Sequence, residues 1–338
     1  MKKYLTLLII FFMTMHVHAQ YGHRVYYTDS ISNDWLNDGL ISNFNLNAGV
    51  PVYMGVGRNL STLTGSIERS RYVRVSLTGP TLNNRRYQFF RTGQELGSRL
   101  NAISEGNSYL MMGGTALGTN LNPVPGGSDL LLMKTTAVGV PSIAFKFDLG
   151  GGADEALCTR RSNRTSTNFH TCGSSTLQSL GQGRAFVMKH NNNLNTVSWV
   201  RTFSLPCTNG TAGTVEAVSV VDDSLSNTVV VVGNVRGTTG CQRAFIAKFS
   251  STGTLRWLFF VTSTNGTDLD FQSIRETGMA EDYLITGSIA LPNQGRRVLL
   301  MRVNTSGLTP VTLFAKSLFS TGPTPNFPVV AQFGYDVA

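Results

Sequence analysis

The sequence predicts an all-β chain: a β-propeller of four-stranded blades, with five complete blades and the start of a sixth. Three observations predict it. Five strand-like segments recur with their first residues 58, 55, 59 and 54 apart, and a unit of that period with room for four strands is a propeller blade. Upstream of each segment a strand ends at a glycine, and 17 to 19 residues before that glycine stands an acid. Charged residues make up only 14% of the 338, with 35 Gly and 11 Pro. That is well below the usual ~25% charged, and it fits short strands buried between neighbours and joined by many turns.

In chain order, residues 1–19 read as a secretory signal peptide. Lys2 and Lys3 give a positive start, Leu5 to Met15 are apolar, and Val17-His18-Ala19 offers small residues for cleavage. The apolar stretch is shorter than the roughly 20 residues a spanning helix needs; an N-terminal anchor is the alternative. No later segment is apolar and long enough to span. The protein is therefore expected to be secreted or held at the cell surface. Residues 20–37 form an N-terminal segment, and the propeller follows from 38 to 338.

The blades are expected near 38–94, 95–153, 154–215, 216–269 and 270–320, with a partial sixth at 329–338. Their opening acids are Asp38, Glu95, Asp154, Glu216, Asp270 and Asp336, and the five complete blades carry glycines at Gly55, Gly113, Gly173, Gly233 and Gly287. The third strands begin at Arg71, Asp129, Arg184, Arg243 and Arg297, and a cation, Lys134, Lys189, Lys248 or Arg302, recurs five residues into four of them. Repetition in every blade points to structural roles for these acids and cations, such as pairing with a neighbouring strand or bonding turn amides. A β-helix repeats at a much shorter period, and Ig-like sandwiches need about seven strands in ~100 residues. No stretch holds a helical period with caps. The start of a sixth unit at Asp336 leaves two readings: a piece of a larger ring, which is favoured, or five closed blades with an overhang.

Lys248-Phe-Ser-Ser-Thr-Gly253-Thr-Leu-Arg-Trp257 resembles the K-x-D-x-x-G-x-x-x-W turn of secreted bacterial β-propeller repeat proteins of the Bacteroidetes type. Lys189 to Trp199 is a looser copy, with Asn195 where the glycine would stand, and Gly334-Tyr-Asp336-Val-Ala resembles the opening of the same repeat. The Gly-x-x-x-Trp spacing also occurs in quinoprotein-type propellers. The resemblance implies an exported, repeat-built protein.

Export changes how Cys158, Cys172, Cys207 and Cys241 are read, since disulfides persist in oxidising compartments. No CxxC is present, so zinc or thioredoxin-type chemistry is not indicated. Pairs 158–172 and 207–241 fit the repeat, and four buried thiols are the alternative. The chain shows no HExxH, no G-x-S-x-G elbow and no D-x-D-x-D-G calcium loop. No catalytic residue, metal ligand or cofactor is therefore assigned.

The formal charge is +9, carried mostly by arginine, but the arginines stand in short clusters rather than a stripe, and export makes nucleic acid a poor partner. One asymmetry points to a binding face. Gly55 to Arg71 and Gly113 to Asp129 span 16 residues each, against 11, 10 and 10 in the later blades. Arg58, Arg69, Asn120 and Asn122 are expected in these longer loops, where rigid scaffolds carry function. The expected function is a binding or scaffold module for a glycan or protein; the alternative is a propeller enzyme acting on polysaccharide, a glycoside hydrolase or lyase.

Overall fold

The computed structural model describes residues 32–318, apart from 43–51, 62–67, 77–80, 88, 92–93, 97, 117–126, 151, 166, 178–181, 207–212, 224, 238–241, 262–267, 292–294 and 308. These residues form a five-bladed β-propeller of antiparallel four-stranded sheets, with no helix among them. Blade 1 holds β1 (Ser32–Ser42), β2 (Val52–Ser61), β3 (Glu68–Ser76) and β4 (Thr81–Tyr87). A small hairpin, β5 (Phe89–Arg91) and β6 (Gln94–Leu96), precedes blade 2, which holds β7 (Ser98–Glu105), β8 (Tyr109–Ala116), β9 (Asp129–Thr136) and β10 (Pro141–Phe147). Blade 3 is β11 (Asp154–Arg161), β12 (Asn168–Leu177), β13 (Gln182–Asn191) and β14 (Val197–Phe203). Blade 4 is β15 (Gly213–Asp223), β16 (Thr228–Gly237), β17 (Gln242–Ser250) and β18 (Leu255–Val261). Blade 5 is β19 (Leu269–Glu276), β20 (Asp282–Leu291), β21 (Gly295–Asn304) and β22 (Val311–Leu318). The partial sixth blade expected at 329–338, with Asp336, lies outside the described residues, as do the signal peptide, Asn120, Asn122, Cys207 and Cys241.

Within a blade the strands pair in sequence order, and the first strand lies innermost. Apolar residues alternate across each sheet, so both faces are sticky and each blade needs a neighbour on either side. Val229 and Val231 of blade 4 pack with Val187 and Trp199 of blade 3, while Val230, Val232 and Ile246 pack with Phe271, Ile285 and Met301 of blade 5. Comparable clusters join blades 1 and 2 and blades 2 and 3. Fully burying each such side chain contributes about 1.5–3 kcal/mol. Among the described residues no apolar cluster joins blade 5 to blade 1.

Every innermost strand carries a β-bulge at the same place, with Asn37, Asn101, Leu157, Val218 and Gln272 as the extra residues. Just before each bulge the strand faces a glycine: Gly57, Gly114, Gly173, Gly233 and Gly287. The recurrent glycine is thereby explained, because the bulge drives a backbone carbonyl onto the facing Cα. A Cβ at Gly114, Gly173, Gly233 or Gly287 would sit 1.9–2.0 Å from the carbonyl oxygen of Arg99, Glu155, Glu216 or Asp270. In blades 1 and 2 the equivalent glycines are thus Gly57 and Gly114 rather than Gly55 and Gly113.

Two of the third-strand cations, Lys248 and Lys134, fasten blades together. Lys248 donates to Glu281 Oε1 at 2.7 Å and to the Thr305 carbonyl at 2.8 Å, both in blade 5. Lys134 lies over the Tyr109 ring and donates to Asn193 of blade 3. Arg302, at the same position in blade 5, turns instead to Asp282 of its own blade, with Nη2 2.6 Å from Oδ2. Lys189 pairs across the sheet with Trp199, and buried Arg74 holds the equivalent place in blade 1. The turn between Lys248 and Trp257 also has a physical reading. Gly253 adopts φ +82° with its Cα against the Trp199 ring. In the looser copy that left-handed position is held by Leu194, φ 58°, and not by Asn195, because the turn contains one more residue.

Candidate functional site

The residue just ahead of the glycine-facing position holds the same register on each innermost strand. In consecutive blades it is Trp35, Arg99, Glu155, Glu216 and Asp270. Three adjacent blades therefore present a carboxylate at one level of the ring. Arginines lie among them. Arg99 Nη1 is 3.6 Å from Glu155 Oε1, and Arg236 lies 3.8 Å from Glu216 and 3.7 Å from Asp270. Arg296 bonds Asp270 Oδ2 and donates to Ser288 Oγ at 2.8 Å. Burial pushes the Glu216 carboxyl up from its ordinary range; Arg236 opposes this, and the Glu155 and Asp270 charges add to it. Asp270 is nearly buried and its Oδ1 has no hydrogen-bond partner, while Arg236 beside it is 49% exposed. The cluster holds both strong donors and strong acceptors at one end of the ring.

A second polar layer lies deeper. Asn37 donates to the Leu100 carbonyl and to Asn101 Oδ1, and Asn101 donates to Glu155 Oε1 and the Ala156 carbonyl. The bulge residues thus stitch blades 1, 2 and 3 together. Below them Asp38 accepts from the Gly39 and Ile103 amides, with Arg160 of blade 3 at 4.0 Å. Burial outweighs these partners and raises the Asp38 carboxyl to about 6.

The acids expected to be equivalent are therefore distributed differently. Glu216 and Asp270 stand at the mouth; Asp154 lies one residue before that level, buried, accepting from the Leu149 amide at 2.7 Å. Asp38 sits past the bulge, three residues beyond the level, and Glu95 lies in the β5–β6 hairpin opposite Phe90. Glu155, the blade 3 member of the row, was masked in the sequence by the adjacent Asp154. Arg58 and Arg69 are not in a long loop: β2 and β3 extend to meet each other, pairing Arg58 with Ser70 and Asn59 with Arg69. Continued ladder pairing consumes the extra residues. Arg58 follows Gly57 as Asn234 follows Gly233, so its register places it at the mouth end.

Cys158 and Cys172 face each other across β11 and β12, and both are free thiols; the expected bridge is not formed here. Burial pushes Cys172 up, whereas the Cys172 thiol, against burial, holds Cys158 down, helped by Arg160. His170 and His190 are buried in blade 3. Among the described residues no group of three or more His, Cys, Asp or Glu is placed to hold a metal ion, and no helix is long and apolar enough to cross a membrane.

No protein-family model matches the chain, and no curated protein matches it. Among solved structures it is similar to cobalt-substituted Synechocystis ACO, at 10% identity over 93% of this chain and 67% of that one, with a TM-score of 0.49. A variant of the Synechocystis apocarotenoid oxygenase matches at 9% identity over 85% of this chain and 62% of that one, with a TM-score of 0.44. Chaetomium thermophilum Sqt1 matches at 9% identity over 78% and 82%, with a TM-score of 0.26. Likenesses this distant carry no argument about activity.

Proposed function

We propose that this chain is an exported, non-enzymatic binding module whose ligand is a glycan held at the mouth of the ring. The carrying observation is the row Glu155, Glu216 and Asp270, contributed at one register by three adjacent blades and interleaved with Arg99, Arg236 and Arg296. Sugar hydroxyls both donate and accept, so alternating carboxylates and guanidinium groups match them. The three acids sit on innermost strands whose backbone is already held in a sheet ladder, which lowers the ordering cost of binding. Export rests on the positive and apolar character of residues 1–19. Affinity with the Bacteroidetes-type repeat proteins rests on the Lys248–Trp257 turn, whose ends are cross-strand neighbours.

Calorimetry against neutral and uronic-acid-bearing oligosaccharides tests this. Saturable binding is expected, with Glu216→Gln and Arg236→Ala each weakening it about tenfold, or ~1.4 kcal/mol; Lys316→Ala, on an outermost strand, leaves it unchanged. Absence of saturable binding to every glycan, with a protein ligand binding instead at the same residues, overturns the glycan assignment.

A second reading is favoured by one observation. Arg236 stands between Glu216 and Asp270, and the Glu216 carboxyl is pushed up while Arg296 pairs with Asp270. Two carboxyls in contrasting environments are what acid–base cleavage of a glycosidic bond uses. New reducing ends formed with time, and abolished by Glu216→Gln, assign the ring to an enzyme.

A further inference from the structure

Arg236 breaks the repeat. The position three residues after the glycine that faces the bulge holds Thr176 in blade 3, Arg236 in blade 4 and Ala290 in blade 5. Neither Thr176 nor Ala290 carries a charge, so the blade architecture does not require one there. Arg236 lies on β16 opposite Thr214, and Asn234 of the same strand lies opposite Glu216. Asn234 and Arg236 therefore share one face of the sheet. Asn234 donates to the Phe271 carbonyl at 2.9 Å, which marks that face as the one turned to blade 5. Arg236 accordingly reaches across the seam, with Nη2 3.7 Å from Asp270 Oδ1 and Nη1 3.8 Å from Glu216 Oε2.

Both separations are longer than a hydrogen bond. Among the described residues the Arg236 guanidinium makes no hydrogen bond, and it is 49% exposed. Its charged neighbours are engaged elsewhere. Arg296 bonds Asp270 Oδ2 and Ser288 Oγ, and Asn101 holds Glu155 Oε1 at 2.7 Å. Glu216, partly exposed beside Arg236, likewise makes no hydrogen bond among the described residues. A planar fork of donors and a carboxyl thus stand side by side at the mouth, neither bonded by the protein. The fork matches a carboxylate bidentately, and a bond to a charged acceptor is roughly twice as strong as one to a neutral hydroxyl. The nearby acids oppose an anionic ligand only weakly: Asp270 is paired with Arg296, and burial disfavours the charged form of Glu216. A carboxyl suits a sugar hydroxyl, which donates and accepts. A uronic acid supplies both partners on one rigid ring, its carboxylate beside a ring hydroxyl.

We propose that Arg236 determines which glycan the mouth takes: its guanidinium holds the carboxylate of a uronic acid residue across the seam between blades 4 and 5, while Glu216 bonds the neighbouring hydroxyl. The assignment rests on the glycan reading and adds the ligand's charge to it.

Calorimetry on the full chain with paired probes tests it: oligogalacturonate and oligoguluronate fragments, each against its methyl ester, which keeps the hydroxyls and removes the charge. The acid of at least one pair is expected to bind about tenfold tighter than its ester. Arg236→Gln keeps an amide donor and is expected to erase that preference while leaving ester affinity unchanged, a split that a merely structural arginine would not give. Arg236→Lys keeps the charge without the fork and is expected to retain only part of the preference. Equal binding of acid and ester by the wild type, or a preference that survives Arg236→Gln, overturns the assignment and leaves the glycan reading standing. So does saturable binding of neutral oligosaccharides alone. Displacement of the acid by equimolar sodium acetate also overturns it, reducing Arg236 to a general anion trap. Binding to no oligosaccharide of either kind overturns the glycan reading and this assignment with it.

Discussion

At Gly233 a methyl group would land 2.0 Å from the Glu216 carbonyl oxygen and 2.5 Å from the Phe245 ring. Neither neighbour can retreat, because the carbonyl belongs to a bulge in the innermost strand and the ring is fully buried. Gly233→Ala is therefore expected to cost about 3 kcal/mol or more, at the upper end of overpacking penalties. Gly278 makes a suitable comparison: its φ is +86° but a Cβ there would meet nothing within 4 Å. Gly278→Ala pays only the left-handed backbone cost of roughly 1–2 kcal/mol. Urea denaturation of the two variants checks the difference, and equal losses would show that close approach is not what selects glycine at the bulge. Sequence spacing could find Gly173, Gly233 and Gly287 because the bulge imposes one residue type at one interval. It could not separate Gly113 from Gly114, since a bulge of this kind leaves no signature on its own strand.

At the level of strands and seams, the period, the four-strand unit and the third-strand cations were all legible, because each depends on alternation or on a repeated side chain. The row of acids was legible only in part. The bulge is common to all five blades, but the connection between the first and second strands varies in length, so counting from the glycine put Asp38 and Asp154 at a level they do not occupy. Long intervals between Gly55 and Arg71 likewise looked like loop, where the chain spends the residues on a longer β2–β3 ladder. The cations show what a seam contact is worth. Lys248 is nearly buried between Glu281, the Thr305 carbonyl and the Trp257 ring. Lys248→Met keeps the apolar stem and removes the charge, leaving Glu281 without its partner, and is expected to cost about 2 kcal/mol. Arg302→Met removes a pair within one blade whose Asp282 is buried but whose guanidinium is 31% exposed, and is expected to cost less because solvent reaches the arginine. Chemical denaturation at low and high salt separates the two, because screening weakens exposed pairs far more than buried ones; a larger loss at Arg302 would contradict the seam role of Lys248.

For the whole molecule, the buried titratable groups set how stability follows pH. Burial drives His170 down to about 3 and His190 down to about 4. His190 is satisfied: its Nδ1 donates to the Asn191 carbonyl at 3.0 Å and its Nε2 accepts from Thr171 Oγ1 at 2.9 Å. His170 is not. Neither ring nitrogen has a hydrogen-bond partner, Asp222 is 3.8 Å away, and the ring packs at 5.8 Å from Trp199. The unfolded chain takes up these two protons near pH 6.5 and the folded chain does so only below about 4, so stability falls as pH drops through that window. The loss at pH 4 is about 3 kcal/mol for each histidine. Asp38, raised to about 6, works in the opposite sense. Its burial costs stability above pH 6, and protonation between pH 6 and 4 returns about 2 kcal/mol. Asp154 and Glu216, raised mainly by burial, shift in the same direction as Asp38. The gain at Asp38 is smaller than the combined loss at the two histidines. His170→Phe keeps the aromatic contact with Trp199 and removes two unsatisfied nitrogens, so it is expected to leave stability at pH 7 unchanged or higher. The same substitution should recover about 3 kcal/mol of the acid loss. Urea midpoints measured from pH 7 to 4 for the wild type and the variant decide it: parallel curves would mean that His170 is not buried in its neutral form at the blade 3–blade 4 seam.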